Sequence, residues 1–243
     1  HRDLHSFPTR RSSDLEHTRH LVAVDCIIFG YDILEKEIKL LLVKRDFEPA
    51  RGSWSLAGGF VREKESLDEA ASRVLASLTG LNDVYMEQCY TYGDSARDPG
   101  ARVISTSYSA LIKIKDPDRE LKMQHGAHWH SLAKLPELIF DHPLMVRKAM
   151  NELRMKVKIK PVGFELLPDK FTLVQLQNLY EAIYQREIDK RNFRKKILSM
   201  DILEKLDEKE KETSKKGAYY FRFNRGNYER QVREGFFFNL DVS

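Results

Sequence analysis

The sequence predicts an α+β chain: a mixed-sheet α/β/α sandwich followed by a winged helix-turn-helix domain. Three observations carry that prediction. Residues 20 to about 158 alternate β-rich apolar runs with a few amphipathic helices, the pattern of helices packed on a sheet. From Thr172 the apolar spacing turns helical. Two helices are then followed by a charged ribbon that ends in a short aromatic strand.

Leu21–Phe29 (LVAVDCIIF) and Ile38–Val43 (IKLLLV) read as neighbouring strands, separated by the turn and charged residues Gly30, Asp32, Glu35 and Lys36. Residues 49–59 read as a loop punctuated by Gly52, Gly58 and Gly59. Ser66–Glu69 (SLDE) is a capping box, with serine at the cap and glutamate three residues on. Apolar residues at 67, 70, 71, 74, 75 and 78 then form one helical stripe, which Gly80 stops. Val84–Tyr92 and Val103–Ile114 are strand-like runs joined by the polar loop 93–102, and Ala127–His130 is a further short strand. Pro143–Val157 reads as a helix.

Beyond Lys160-Pro161 the character changes. Leu173, Leu176, Leu179, Tyr180 and Ile183 follow the 3.6-residue period, and a second helix runs from Asp189, as cap, to Met200. The charged stretch 204–216 leads through Ser214-Lys215-Lys216-Gly217 into Ala218–Phe223 (AYYFRF), a strand. The expected organisation is therefore a larger mixed-sheet domain over 16–158 and a winged helix over 159–243. Residues 1–15 stand outside this scheme: they have no period, His5–Leu15 resembles a translated sequencing adapter, and the stretch is set aside as an assembly artefact.

Composition bounds the function loosely. The 243 residues carry 41 basic and 37 acidic side chains, a net charge of +4, too mild to imply nucleic acid by itself. A hydrophobic fraction of 42% supports packed cores rather than overall disorder. No apolar run approaches the roughly 20 residues of a membrane span, and no apolar segment follows the basic N-terminus as in a secretory signal. Cys26 and Cys89 both sit inside strand-like runs and are expected to be buried free thiols, as suits a cytoplasmic protein.

The informative charge is local. Lys190–Lys196 (KRNFRKK) packs five cations into seven residues. Phe193 and Ile197, four apart, form the inward face, leaving Lys190, Arg191, Asn192, Arg194, Lys195 and Lys196 to point elsewhere. Arginine and asparagine pair bidentately with guanine and adenine edges, and lysine meets phosphates. With Lys215 and Lys216 at the tip of a wing, these residues are the candidate contacts to double-stranded DNA.

The segment Gly59–Leu81 resembles the Nudix box, in which a glycine is followed after five residues by glutamate and after seven more by Arg-Glu-apolar-x-Glu-Glu-x-Gly-apolar. Gly59, Glu65, Arg73, Gly80 and Leu81 keep that frame, and Trp54–Gly59 (WSLAGG) fits its approach. The resemblance implies the fold. In active members the glutamates hold divalent cations that bridge a diphosphate and a water, and magnesium requires oxygen ligands. The three remaining glutamate positions here are Val74, Ser77 and Leu78, of which Val74 and Leu78 supply no oxygen. The expectation is a domain with no catalytic residues, no metal and no cofactor, kept as a sensor. The alternative is a working hydrolase of a nucleoside diphosphate such as ADP-ribose, using Glu63 and Glu65.

Together, GSWSLAGGFV (52–61), ESLDEAASRVLASLTGL (65–81), YGDSARDPGARVIS (92–105), FTLVQLQNLYEAIY (171–184) and DKRNFRKKI (189–197) resemble the Nudix-related transcriptional regulators, which fuse a degenerate Nudix domain to a winged helix. Within them the chain resembles the arabinose-sensing repressors; other members sense ADP-ribose and control NAD metabolism. The resemblance implies a homodimer on a near-palindromic operator, with a sugar, or ADP-ribose, as effector. Arg45, Phe60, Glu87, Asp94, Arg97 and Asp98 are the candidate effector contacts, placed where the cleft of such a fold opens. His125, His128 and His130 are expected to be structural, since no carboxylate or thiolate accompanies them. A third possibility is an interaction protein whose basic helix meets an acidic partner.

Overall fold

A computed structural model describes residues 20–114, 126–211 and 217–240. Both expected domains are present. The first is a seven-stranded mixed sheet built around β1 (Leu21–Asp32). β1 runs antiparallel to β2 (Glu37–Lys44) on one side and parallel to β6 (Val103–Lys113) on the other, with Leu21 opposite Val103 and Tyr31 opposite Lys113. β5 (Glu87–Tyr92) closes one edge against β6. β3 (Trp54–Ser55) and β7 (Ala127–Ser131) both pair with β2. A strand covered on both faces has no polar side to show, and from Ala23 to Asp32 β1 is buried throughout.

The two faces of β1 go to two helices. Val24, Cys26 and Ile28 pack with Ala70, Ala71, Val74 and Leu75 of α1 (Leu67–Thr79). Ile27, Phe29 and Tyr31 join the core of Met145, Val146, Ala149, Met150 and Leu153 from α2 (His142–Ile159). The helix-forming signals act as expected for α1: Ser66 and Glu69 complete the capping box, and Gly80 closes the helix at φ 72°.

The second domain follows a one-turn 3-10 segment, Phe164–Leu166. It holds β8 (Phe171–Thr172), α3 (Leu173–Tyr184), α4 (Lys190–Ser199), β9 (Leu203–Glu210) and β10 (Ala218–Phe223), with β10 between β8 and β9. Thr172 and Gln175 form a second capping box at the start of α3. The core does not stop at the boundary: Leu176, Leu179, Tyr180, Ile183, Phe193 and Ile197 belong to the same apolar cluster as Phe29, Leu40 and the inner face of α2.

Four details depart from the sequence expectation. The glycine loop contains strand: β4 (Ala57–Phe60) pairs with β1, Gly58 opposite Asp25. Glycine is there because the backbones must approach; a Cβ on Gly58 would fall 2.3 Å from Asp25 Oδ1, and one on Gly59 2.8 Å from Val74 Cγ2. β5 starts at Glu87 rather than Val84. Cys89 is only half-buried, its thiol donating to Ser109 Oγ at 3.0 Å, whereas Cys26 is fully buried. A further helix, α5 (Arg225–Arg233), buries no side chain and so has no apolar period to announce it; Asn224 caps it by accepting from the Asn227 amide at 2.9 Å. Among the described residues no helix is long and apolar enough to cross a membrane. The segment 1–15 and the wing tip with Lys215 and Lys216 lie outside the described residues.

Candidate functional site

The sensor domain opens in a cleft of about 640 Å³ between the end of β5, the loop 93–102 and the start of α2. Tyr90, Tyr92, Phe140 and Leu144 supply an apolar wall, and Asp94 and Arg97 lie on the opposite lip. Tyr90 and Tyr92 meet edge to face at 5.1 Å, with the Lys148 ammonium 3.6 Å over Tyr90. An aromatic wall with cations close to its rings suits a flat, electron-rich or anionic ligand.

Beneath the cleft lies a buried polar cluster. Arg97 donates from Nε to Asp141 Oδ2 and from Nη2 to Asp141 Oδ1, both at 2.9 Å, and stands 3.6 Å from Asp25 Oδ2. Ser105 Oγ donates to Asp25 Oδ2 at 2.6 Å. His142 accepts the Leu56 amide at Nδ1 (3.1 Å), so its proton sits on Nε2, 3.6 Å from Asp25 Oδ1. Burial pulls the His142 pKa below the ordinary imidazole value, against the opposing pull of Asp25 and Asp141.

Of the six expected effector contacts, the structure brings Asp94 and Arg97 into this cleft. Arg97 faces inward rather than free, its guanidinium committed to Asp141. Arg45 stands near the rim, 4.0 Å over Phe47 and 5.8 Å from Phe140, its Nε donating to the Pro49 carbonyl at 3.0 Å. Asp98 turns back onto its own loop, accepting the Gly100 amide at 2.7 Å. Phe60 is 54% exposed at the end of β4. Glu87 lies at the other end of β5, paired with Lys156 beside a separate cavity of about 150 Å³. Asp25, Ser105, Asp141 and His142 escaped sequence reasoning; the one available signal was an aspartate inside the otherwise apolar run LVAVDCIIF.

The Nudix frame is occupied differently from a metal centre. Glu65 pairs with Arg73, Nε to Oε2 at 2.8 Å, and accepts the Arg62 amide at 2.6 Å. Arg73, then Arg62, hold its carboxyl down at about 2. Glu69 closes the capping box with Ser66 at 2.7 Å, and Asp68 accepts the Tyr108 hydroxyl at 2.5 Å. Val74 is buried and Leu78 packs beside it, in the positions where a cation site needs oxygens. The residues present do not fit a magnesium cluster. His128 and His130 stand on one face of β7 against Trp54, ring centroids 5.4 and 4.5 Å away, which accounts for both as packing; His125 lies outside the described residues.

On the winged helix, α4 turns Phe193 and Ile197 into the core and leaves Lys190, Arg191, Asn192, Arg194 and Lys195 exposed, with Lys196 half-buried. Asp189 caps the helix, accepting the Asn192 amide at 2.8 Å. Among the described residues no acid forms a salt bridge with Lys190, Arg191, Arg194 or Lys195. On the wing, Tyr219 lies under two further cations, Lys205 at 3.7 Å and Lys209 at 4.4 Å.

Comparison with known proteins agrees with both halves. The NUDIX domain family matches residues 19–150, and the NrtR DNA-binding winged helix domain family matches residues 163–223. The chain is 31% identical over 213 residues to the ADPR responsive transcriptional repressor NtrR of Acinetobacter baylyi, 86% of this chain and 84% of that protein. It is similar to Shewanella oneidensis NrtR complexed with a 27mer DNA (29% identity, TM-score 0.67, 83% of this chain and 93% of that one). It is also similar to the NUDIX domain of the same regulator complexed with ADP ribose (29% identity, TM-score 0.50, 60% of this chain and 94% of that one).

Proposed function

Because the chain belongs to the Nudix family, as a member that carries an NrtR-type DNA-binding winged helix, we propose that it is a transcriptional repressor whose hold on its operator is set by ADP-ribose. The observation that carries this reading is the row of exposed cations on α4, in a chain whose Nudix frame has Val74 and Leu78 in place of metal ligands. A domain without those ligands keeps the cleft and gives up the means to activate water.

The arabinose expectation gives way to ADP-ribose. A relative similar over 86% of this chain is described as ADPR responsive, and a NUDIX domain similar over 60% of it is described in complex with ADP ribose. Most of the motifs behind the sugar resemblance are scaffold: glycines for close backbone approach, a capping box and the inward faces of helices, and the one that lines the cleft, residues 92–105, carries no group that selects a sugar over a nucleotide. The cleft chemistry agrees, since aromatic faces at Tyr90, Tyr92 and Phe140, with the Lys148 ammonium over Tyr90, suit an adenine and a diphosphate better than a small neutral sugar.

In this reading Arg191, Asn192 and Arg194 reach base edges, Lys190, Lys195 and Lys196 neutralise phosphates, Lys215 and Lys216 meet the flanking backbone, and two copies face a near-palindromic site. The test is a binding site selected by the protein from a random-sequence DNA library, titrated by fluorescence anisotropy with and without ADP-ribose. A palindromic consensus whose affinity changes at least fivefold with ADP-ribose supports the reading. No enriched sequence, or an affinity indifferent to ADP-ribose while arabinose shifts it, overturns it. Magnesium-dependent turnover of ADP-ribose at stoichiometric protein would restore the hydrolase alternative.

A further inference from the structure

Asp141 stands at the N-cap position of α2 but makes no capping hydrogen bond. Both of its carboxylate oxygens instead accept from Arg97, which lies on the cleft loop and is itself buried. The next residue, His142, accepts the Leu56 amide just before β4. The lip of the cleft, the strand segment below it and the first turn of α2 are therefore bonded together.

The far end of α2 is bonded just as specifically, to the DNA-binding half. Arg154 Nε donates to the Ile183 carbonyl at 3.2 Å, and its Nη2 donates to Gln185 Oε1 at 2.6 Å. Ile183 lies in the last turn of α3 and Gln185 is its left-handed cap at φ 54°, four residues before the Asp189 cap of α4. The Lys158 carbonyl accepts the Leu240 amide at 2.9 Å. Between these clamps, Met145, Val146, Ala149, Met150, Leu153 and Val157 sit in the apolar cluster that also contains Leu176, Ile183, Phe193 and Ile197. An 18-residue helix is a rod of about 27 Å, stiff enough to carry a shift at one end to the other.

We propose that α2 transmits occupancy of the cleft to α4, with Arg97 and Arg154 as the positioning residues at its two ends. A ligand against the 93–102 loop moves Arg97, Asp141 follows the guanidinium, and α2 carries the shift to the α3 cap that sets the start of α4. Coupling requires that the ligand distinguish the two positions of α2, and an arginine shared between cleft loop and helix supplies that difference. This inference rests on the ADP-ribose reading above.

The experiment uses the full chain with the selected operator and compares wild type with Arg154→Gln, Arg154→Lys and Gln185→Asn. Operator affinity is measured with and without saturating ADP-ribose, and ADP-ribose affinity is measured by calorimetry on the free protein. Wild type is expected to change its operator affinity by about 5- to 150-fold. Arg154→Gln and Gln185→Asn should keep both separate affinities within about threefold while their ADP-ribose response shrinks below about threefold. Arg154→Lys, which reaches one acceptor at a time, should respond in between. A full response in both Arg154→Gln and Gln185→Asn overturns the transmission role and leaves the effector reading standing. A variant that loses ADP-ribose affinity in the free protein assigns the residue to binding and also overturns it. A wild type that does not bind ADP-ribose sinks the effector reading, and the inference with it.

Discussion

Glu65 and Arg73, eight residues apart, meet in a two-pronged ion pair that ties the loop before α1 to the helix itself. A cation site needs carboxylate oxygens left free to coordinate it. In this chain Glu65 is matched by a guanidinium, and the next two acids, Asp68 and Glu69, are matched by Tyr108 and Ser66. Magnesium is thus expected neither to raise the melting temperature nor to support turnover of ADP-ribose, checked by thermal unfolding and by product analysis at stoichiometric protein. Rebuilding the missing ligands one at a time should divide by burial. Ser77→Glu is exposed and should change stability by less than about 0.5 kcal/mol. Val74→Glu places a carboxylate in a dry core and should cost about 2 kcal/mol or more, read from denaturant midpoints.

Arg191 and Arg194 are exposed on α4 with no salt bridge among the described residues. If they read base edges, at about 1–3 kcal/mol for each pair, replacing both with alanine should lower specific affinity by a hundredfold or more. Lys195→Ala should act differently, weakening all sequences alike and reducing the slope of log affinity against log salt by about 1. Equal losses on operator and random DNA for the double arginine variant would contradict the base-reading assignment.

The cap of the same helix is testable by stability alone. Asp189 accepts the Asn192 amide, and Asp189→Ala should cost about 1 kcal/mol. Asp189→Ser keeps an acceptor at the cap and should recover most of the loss.

His142 makes stability depend on pH in a direction the structure determines. Its folded pKa is depressed by burial below 6.5, so the folded state favours the neutral ring. The contribution is complete above the unfolded value near 6.5 and is lost as pH falls through the depressed folded value. His142→Asn, which offers a side-chain acceptor without titrating, should be less stable than wild type at pH 8 and lose less stability between pH 7 and pH 5. Parallel urea midpoints for the two proteins across that range would exclude His142 as the titrating group.

Tyr180 is fully buried at the junction of the two domains, against Tyr184 and Phe193, and its hydroxyl has no hydrogen-bond partner among the described residues. Burial pushes its pKa far above the ordinary phenol value. Removing an unsatisfied hydroxyl should be neutral or stabilising, by up to about 1 kcal/mol for Tyr180→Phe. A loss of more than about 1 kcal/mol would reveal a partner for the hydroxyl.

Much of this architecture could be read residue by residue. The capping box at Ser66, the stop at Gly80, the inward pair Phe193 and Ile197, and the cap at Asp189 all depend on side chains within four residues of one another. Local signals of that range leave a trace in sequence spacing. β4 left none, because Gly58 and Gly59 look like loop until β1 lies beside them. Helix α5 left none either, because it buries no side chain.

The sequence by itself determined the two-part fold, the helix that presents the cations, and the presence of Val74 and Leu78 where the Nudix box has glutamates. Only the tertiary structure decided which polar groups belong together. Asp25, Arg97, Ser105, Asp141 and His142 come from two strands, a loop and a helix start, and Glu87, expected in the same cleft, lies at the opposite end of its strand with Lys156. The physical reason is range. A helix face or a cap is settled by neighbours one turn away, whereas a buried ion cluster is settled by whichever distant segments the packed core brings within about 4 Å, and no periodicity in the chain encodes that meeting.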